Sequence, residues 1–122
     1  MYNWQGKNIV IADDDYINIE LLNLMIRVTK ANIHMFENGQ QVVDFISNND
    51  ADIIILDIQM PVLDGFKTSI KLREMKFKGK IFALTAFNTF DNMATYTDCK
   101  FDEIIEKPIR RKELLKIISK HI

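Results

Sequence analysis

Five side chains in this sequence are placed to do chemistry together: the carboxylates of Asp13, Asp14 and Asp57, the amine of Lys107 and the hydroxyl of Thr85. Each stands at or just beyond the end of a short apolar run. Ile9-Val10-Ile11-Ala12 stops at Asp13-Asp14-Asp15, and Ile53-Ile54-Ile55-Leu56 stops at Asp57. Ile81-Phe82-Ala83-Leu84 stops at Thr85, and Ile104-Ile105 leads through Glu106 to Lys107-Pro108. Short β-branched runs of this kind read as buried strands of a parallel sheet. Ligands collect beyond the carboxyl ends of such strands. Clustered carboxylates facing a lysine make a site for a cation and a phosphate.

The chemistry follows from the charges. Carboxylates held a few ångströms apart in a half-buried site repel one another. A hard divalent cation relieves that repulsion, and an all-oxygen donor set favours Mg²⁺. Metal, ammonium and hydroxyl around one carboxylate suit phosphoryl transfer, which needs positioning and charge neutralisation. The carboxylate itself can be the nucleophile. Plainer readings stand beside each residue. Asp15 reads first as a helix N-cap, and Asp13 and Asp14 alone read equally well as caps or charges at a helix start. Lys107 alone reads as a salt-bridge partner, and Thr85 as an ordinary strand-end residue. The coincidence of Asp57 and Lys107 at matching strand ends favours the site, and Pro108 stiffens the turn that aims the amine.

The elements that must position these residues alternate strand and helix. Strands are expected at about 8–12, 33–36, 52–56, 81–84 and 103–105, and helices at about 16–29, 40–47, 66–74, 89–97 and 111–120. The first helix takes Asp15 as N-cap and places Ile17, Leu21, Leu24, Met25 and Val28 on its inward face, leaving Ile19, Leu22 and Ile26 as an apolar surplus. The last helix turns Leu114, Leu115, Ile117 and Ile118 inward. Asn38-Gly39 marks a turn, and Pro61 and Gly65 bracket a loop. Five βα units with short connections predict an α/β fold: a doubly wound five-stranded parallel sheet with helices on both faces. A closed eight-stranded barrel needs about twice the chain.

Composition narrows the class. At 122 residues the chain is read as one domain spanning 1–122, with 48% hydrophobic and 27% charged residues typical of a globular protein. A net charge of −1 gives no electrostatic footprint for nucleic acid or for an anionic membrane. The single cysteine, Cys99, has no internal disulfide partner, so a reducing, cytoplasmic setting is expected, with the thiol a small buried side chain. No apolar run approaches the roughly 18 residues of a membrane span, and the opening Met1-Tyr2-Asn3-Trp4-Gln5 is too polar for a signal peptide.

With these residues in order, the chain resembles the receiver domain of two-component response regulators. The pieces that carry the resemblance are Asp13-Asp14, Asp57-Ile58-Gln59-Met60-Pro61-Val62-Leu63-Asp64-Gly65, Leu84-Thr85-Ala86 and Lys107-Pro108-Ile109. Together they span nearly the whole chain. The resemblance implies a flavodoxin-like (βα)5 fold with strand order 2-1-3-4-5. It implies that Asp57 accepts a phosphoryl group from a phospho-histidine on a histidine kinase or phosphotransfer domain. Asp14, Asp57 and the backbone carbonyl of Gln59 would then ligate Mg²⁺, with Asp13 acting through water. Lys107 would pair with the phosphoryl oxygens, and Thr85 would swing onto them and report to the face of the fourth helix, fifth strand and fifth helix, a possible dimer surface. Any catalysis by the isolated domain would be limited to self-dephosphorylation. Asp57 to Val62, Asn18 and the leading Trp4-Gln5-Gly6-Lys7 look most like receivers fused to hybrid sensor histidine kinases, whose parent chains can be membrane-anchored. A stand-alone regulator is the alternative context.

Two positions depart from the pattern: Ile104 stands where receivers often carry a switching aromatic, and Lys100 where glycine is common. Phosphorylation is therefore expected to be retained with altered output coupling. Phe87 either shields the phosphoryl group from water or packs on the fourth helix. Ile17, Asn18, Leu21, Pro108 and Ile109 are candidates for docking the kinase, joined by part of the surplus Ile19, Leu22 and Ile26, whose plainer reading is packing under the last helix. His34 and His121 are too isolated to pair on a metal and read as surface residues. The basic side of the last helix, Arg110, Arg111, Lys112, Lys116 and Lys120, reads as a solvated face.

Three other readings compete. A haloacid-dehalogenase-like hydrolase usually needs a second aspartate two residues after its nucleophile, where this chain has Gln59. A degenerate receiver that only binds partners is disfavoured by the intact Asp57, Thr85 and Lys107. A flavodoxin-like nucleotide carrier lacks its glycine-rich loop, with only four glycines in the chain. Charge repulsion also has a direct consequence. Asp13→Asn should melt at a higher temperature than the parent without metal and gain less from Mg²⁺. A variant that melts lower in both conditions would contradict that repulsion.

Overall fold

The computed structural model describes residues 2–86, Cys99 and residues 101–122. The helix expected near 89–97, with Phe87, Lys100 and part of the expected dimer face, lies outside them. Five strands form one sheet: β1 (Asn8–Ala12), β2 (Asn32–Phe36), β3 (Ile53–Asp57), β4 (Lys80–Thr85) and β5 (Glu103–Glu106). Their order is β2-β1-β3-β4-β5, and every pairing is parallel, as the resemblance implies. The described helices are α1 (Tyr16–Ile26), α2 (Gly39–Ile46), α3 (Gly65–Glu74) and α4 (Arg111–Ser119), with a 3₁₀ turn at Arg27–Thr29. Among the described residues no helix is long and apolar enough to cross a membrane.

The period-two alternation of the central strands divides the core into two layers. Ile9, Ile11, Ile53 and Ile55 pack with Leu22, Ile26 and Leu114 of α1 and α4, whereas Val10, Ala12, Ile54 and Leu56 pack with Val42 and Leu72 of α2 and α3. Because β3 is buried on both faces along its whole length, it reads in sequence as an unbroken apolar run. Register then does the positioning. Ala12 pairs with Leu56, so the next residues, Asp13 and Asp57, leave the sheet side by side. Thr85 pairs with Glu106, so Lys107 emerges one residue beyond.

Helix starts are set by short polar caps. The side chains of Asp15, Asn38 and Asp64 accept from the amides of Ile17 (2.9 Å), Gln41 (2.9 Å) and Lys67 (2.8 Å). Asp15 thus takes the capping role expected of it. Gly65 begins α3 directly against the end of β3: its amide donates to the Ile58 carbonyl at 2.9 Å. A Cβ there would lie 2.7 Å from the Asp57 carbonyl oxygen and 2.8 Å from the Ile58 Cα.

The inward face of α1 is reversed from the sequence expectation. Ile19, Leu22 and Ile26 are buried, Met25 is half-buried, and Ile17, Leu21, Leu24 and Val28 are exposed. The helix carries two apolar stripes, so hydropathy cannot choose between them. The sheet beneath makes the choice, since Leu22 and Ile26 pack with Ile9, Ile11, Ile53 and Ile55. The helix also ends earlier than 29: Thr29 Oγ1 donates to the Ile26 carbonyl at 2.7 Å, and Lys30 turns left-handed at φ 68°.

Neither histidine is the free surface side chain expected. His121 Nε2 lies 2.7 Å from Glu103 Oε2 with its ring edge-on to Phe82, and His34 stacks on Phe45 at 4.8 Å. Cys99 is buried, in line with the plain reading of its thiol. Trp4, read only as part of a leading phrase, is buried and donates its amide to the Thr29 carbonyl at 2.6 Å.

Gly65→Ala is expected to lower stability by about 2 kcal/mol or more and the melting temperature by roughly 5–10 °C, because the new methyl meets backbone atoms that cannot yield. A thermal melt matching the parent would show that α3 can move off the Asp57–Ile58 peptide.

Candidate functional site

Four strand ends supply the walls of a cleft of about 260 Å³ at the carboxyl edge of the sheet, with Asp13, Asp14, Asp57, Gln59, Thr85 and Lys107 among its lining residues. Asp13 follows β1 and is fully buried. Its amide donates to the Phe36 carbonyl at 3.1 Å, and its Oδ1 accepts from the Asp15 amide at 2.9 Å. Asp57 ends β3 and is 7% exposed. Lys107 enters from the loop after β5, its amide bonded to the Thr85 carbonyl at 2.8 Å. The preceding strand ladder and Pro108 restrict where its side chain starts, and the Lys107–Pro108 bond is cis.

Lys107 Nζ stands 3.2 Å from Asp57 Oδ1 and 3.4 Å from Asp13 Oδ2. One ammonium therefore spans both carboxylates, closer than strand-end placement alone specifies. Burial, and after it the charge of Asp13, pushes the Asp57 carboxyl up from 3.8 to about 6, although Lys107 pulls the other way. Burial draws the Lys107 ammonium down, but Asp57 and then Asp13 outweigh it, so its pKa stands above the ordinary value.

Each of Asp13, Asp14 and Asp57 offers a carboxylate oxygen within 4.8 Å of the other two. Asp14 is exposed, and its carboxylate has no hydrogen bond to the described residues, which leaves its lone pairs facing the cleft. Three acids on oxygen-only chemistry fit a hard cation of the Mg²⁺ or Ca²⁺ type rather than a thiolate- or imidazole-seeking metal. Gln59 lies on the loop between β3 and α3. There the Ile58 amide donates to the Leu84 carbonyl at 3.1 Å, and Val62 is left-handed at φ 68°, a conformation that a β-branched residue rarely adopts. Thr85 closes the far wall, buried to 6% exposure, its Oγ1 3.3 Å from the Ala86 carbonyl.

A second, apolar groove of about 150 Å³ opens beside the cleft, between α1 and the loop before α4. Asn18, Leu21, Pro108 and Ile109 line it with Met25, and it shares Asp13 and Lys107 with the cleft. Ile17 is highly exposed but does not line this groove. Asn18 borders both spaces, a placement the sequence does not signal. Ile104, at the position of the missing aromatic, points out of β5 at 44% exposure.

The sequence profile described as "Response regulator receiver domain" matches residues 9–119. Hybrid signal transduction histidine kinase L of Dictyostelium discoideum is 35% identical over 95% of this chain, which spans 7% of that protein's length. Two-component response regulator ARR22 of Arabidopsis thaliana is 29% identical over 92% of this chain and 81% of its own. Among solved structures, the receiver domain of sensor histidine kinase PA1611 from Pseudomonas aeruginosa, described with a magnesium ion coordinated in its active site cleft, superposes with a TM-score of 0.85 at 24% identity, covering 95% of this chain and 97% of that one. The sheet that sets Asp13, Asp57 and Lys107 together in this chain thus has the fold of solved receivers, and this chain belongs to the response regulator receiver domains of two-component phosphorelay signalling.

Proposed function

We propose that Asp57 is the phosphoacceptor of this receiver, and the observation that carries the reading is the Lys107 ammonium set 3.2 Å from its carboxylate. A phospho-histidine of a histidine kinase or phosphotransfer domain is the donor. An Asp57 carboxylate oxygen attacks phosphorus, a P–O bond forms, and the P–N bond to the imidazole breaks. Lys107 holds the carboxylate in place and then meets the negative charge spread over the phosphoryl oxygens. The Thr85 hydroxyl, at the same edge, takes one of those oxygens and passes the change to β4 and β5. Asp14, Asp57 and the backbone carbonyl of Gln59 would hold Mg²⁺, with Asp13 acting through water. When bound, the ion supplies further neutralisation of the transferring phosphoryl group.

The groove lined by Asn18, Leu21, Pro108 and Ile109, with Ile17 at its approach, docks the helical donor so that its phospho-histidine reaches the cleft. The likeness to hybrid kinases in sequence supports a parent chain of that type, acting from the cytoplasm. The Pseudomonas receiver with magnesium in its cleft supports the metal assignment.

Beryllofluoride with Mg²⁺, a mimic of the phosphoryl group, should bind the parent and fail to bind Asp57→Asn, read by ¹⁹F NMR. Equal binding by the variant would remove Asp57 from the role, and steady turnover of a small phosphomonoester would make the protein a hydrolase instead.

The raised Asp57 carboxyl also links stability to pH. Between pH 3.8 and about 6 the folded chain binds the proton more tightly than the unfolded one, so stability falls as pH rises through that window. The loss amounts to on the order of 2–3 kcal/mol. Lys107 contributes in the opposite sense, with stability present at neutral pH and lost only as pH climbs through its own alkaline pKa. In Mg²⁺-free buffer Asp57→Asn should therefore gain stability over the parent progressively from about pH 4 to about pH 6, and Mg²⁺ should narrow the gap. A gap that does not change with pH would contradict this account.

A further inference from the structure

We propose that the lower part of the face between α1 and α4 docks an acidic amphipathic helix of a partner protein, at a surface separate from the phosphoacceptor cleft. Ile17, Leu21 and Leu24 form an exposed apolar line on α1 that Val28, in the 3₁₀ turn after it, continues, with spacings of four, three and four residues. That spacing follows one helix face and matches the seam along which a second helix packs. Of these four, Leu21 lines the groove beside the Asp57 cleft. Leu24 and Val28 carry the line on, away from the cleft.

At that end lies a groove of about 490 Å³ whose lining includes Tyr2, Val28 and Leu115, with Arg111, Lys112 and Lys116 along the α4 side. It shares no lining residue with the Asp57 cleft. No acid lines it, and among the described residues none of these three cations lies within ion-pair distance of a carboxylate. Arg27, in the 3₁₀ turn after α1, and Lys30, just beyond it, are exposed as well. In a chain of net charge −1, three cations lining one apolar groove are a local asymmetry, and they select an occupant of opposite sign.

The shape and charge choose among occupants. A second copy packed across a two-fold axis would set one cationic rim against another. A bilayer surface takes up protruding apolar side chains, whereas this surface is a trough. A helix with leucines along one stripe and glutamates beside it fills the trough and pairs the rim. Because the acceptor cleft stays open, such a partner can be held while Asp57 exchanges its phosphoryl group.

The test uses the whole ¹⁵N-labelled chain and a designed helical peptide of about 18 residues, near 27 Å long, with leucines at heptad spacing flanked by glutamates. Saturable shifts at Leu24, Val28, Lys112 and Leu115 are expected, weakening with added salt. Binding should fall tenfold or more in Lys112→Glu/Lys116→Glu and vanish for the peptide with lysine in place of glutamate. The variant changes only exposed side chains and should still bind beryllofluoride at Asp57, so loss of the groove and loss of the acceptor are read separately. Equal binding by the variant, or none by the parent, overturns the proposal. So does binding to phosphatidylserine-containing vesicles in place of the peptide, or a dimer of the parent that the same double variant dissolves.

Discussion

The Lys107 ammonium, 3.2 Å from Asp57 and 3.4 Å from a fully buried Asp13, is the interaction on which the site depends. Two carboxylates this close would repel strongly in a half-buried place without an intervening cation. The lysine does not cancel them: Asp57 is still pushed up to about 6. A cleft left with residual negative charge is what the proposed Mg²⁺ would neutralise, and on that reading the pair would then suit a group that brings three oxygens of its own. On the proposed reading, attraction for metal and tolerance of a phosphoryl group would arise from the same imbalance.

That balance is a property of the sheet as much as of the side chains. Asp13, Asp57 and Lys107 are far apart in the chain, and only the parallel pairing of β1 with β3 and β3 with β4, and of β4 with β5, brings them to one edge. A one-residue slip would turn each side chain to the other face. Burial of β3 on both faces makes such a slip costly, and Gly65 braces α3 against the Asp57–Ile58 peptide where the sheet ends. One carboxylate thus stands at the end of a strand buried on both faces and closely backed by a helix.

Helix α1 shows the other side of this economy. Its apolar residues exceed what one buried face needs, and the sheet takes Ile19, Leu22 and Ile26 while Ile17, Leu21, Leu24 and Val28 face outward. Such a line raises the solubility risk of a lone domain unless something covers it. The same helix begins beside the Asp57 cleft and ends near a cationic trough, so one element borders the site at its first turn and a separate surface at its last.

Much of the architecture was legible before any coordinates. The strand runs, the alternation with helices and the acids at strand ends depend on local hydropathy and on period-two and period-3.6 patterns, which the chain carries residue by residue. The cap at Asp15 was readable for the same reason, since capping is a contact between near neighbours. The choice between two apolar stripes on α1 was not readable, because both satisfy the helical period and only the sheet beneath decides which is covered. The pairings of His121 with Glu103 and of Trp4 with Thr29 were hidden likewise, being contacts between distant segments. By itself the sequence determined which side chains stand at the ends of which strands, because that is set by neighbours along the chain. The distance from Lys107 to Asp57, the lift in the Asp57 carboxyl and the outward face of α1 were decided only in three dimensions, because each depends on what register and packing bring close and shut away from water.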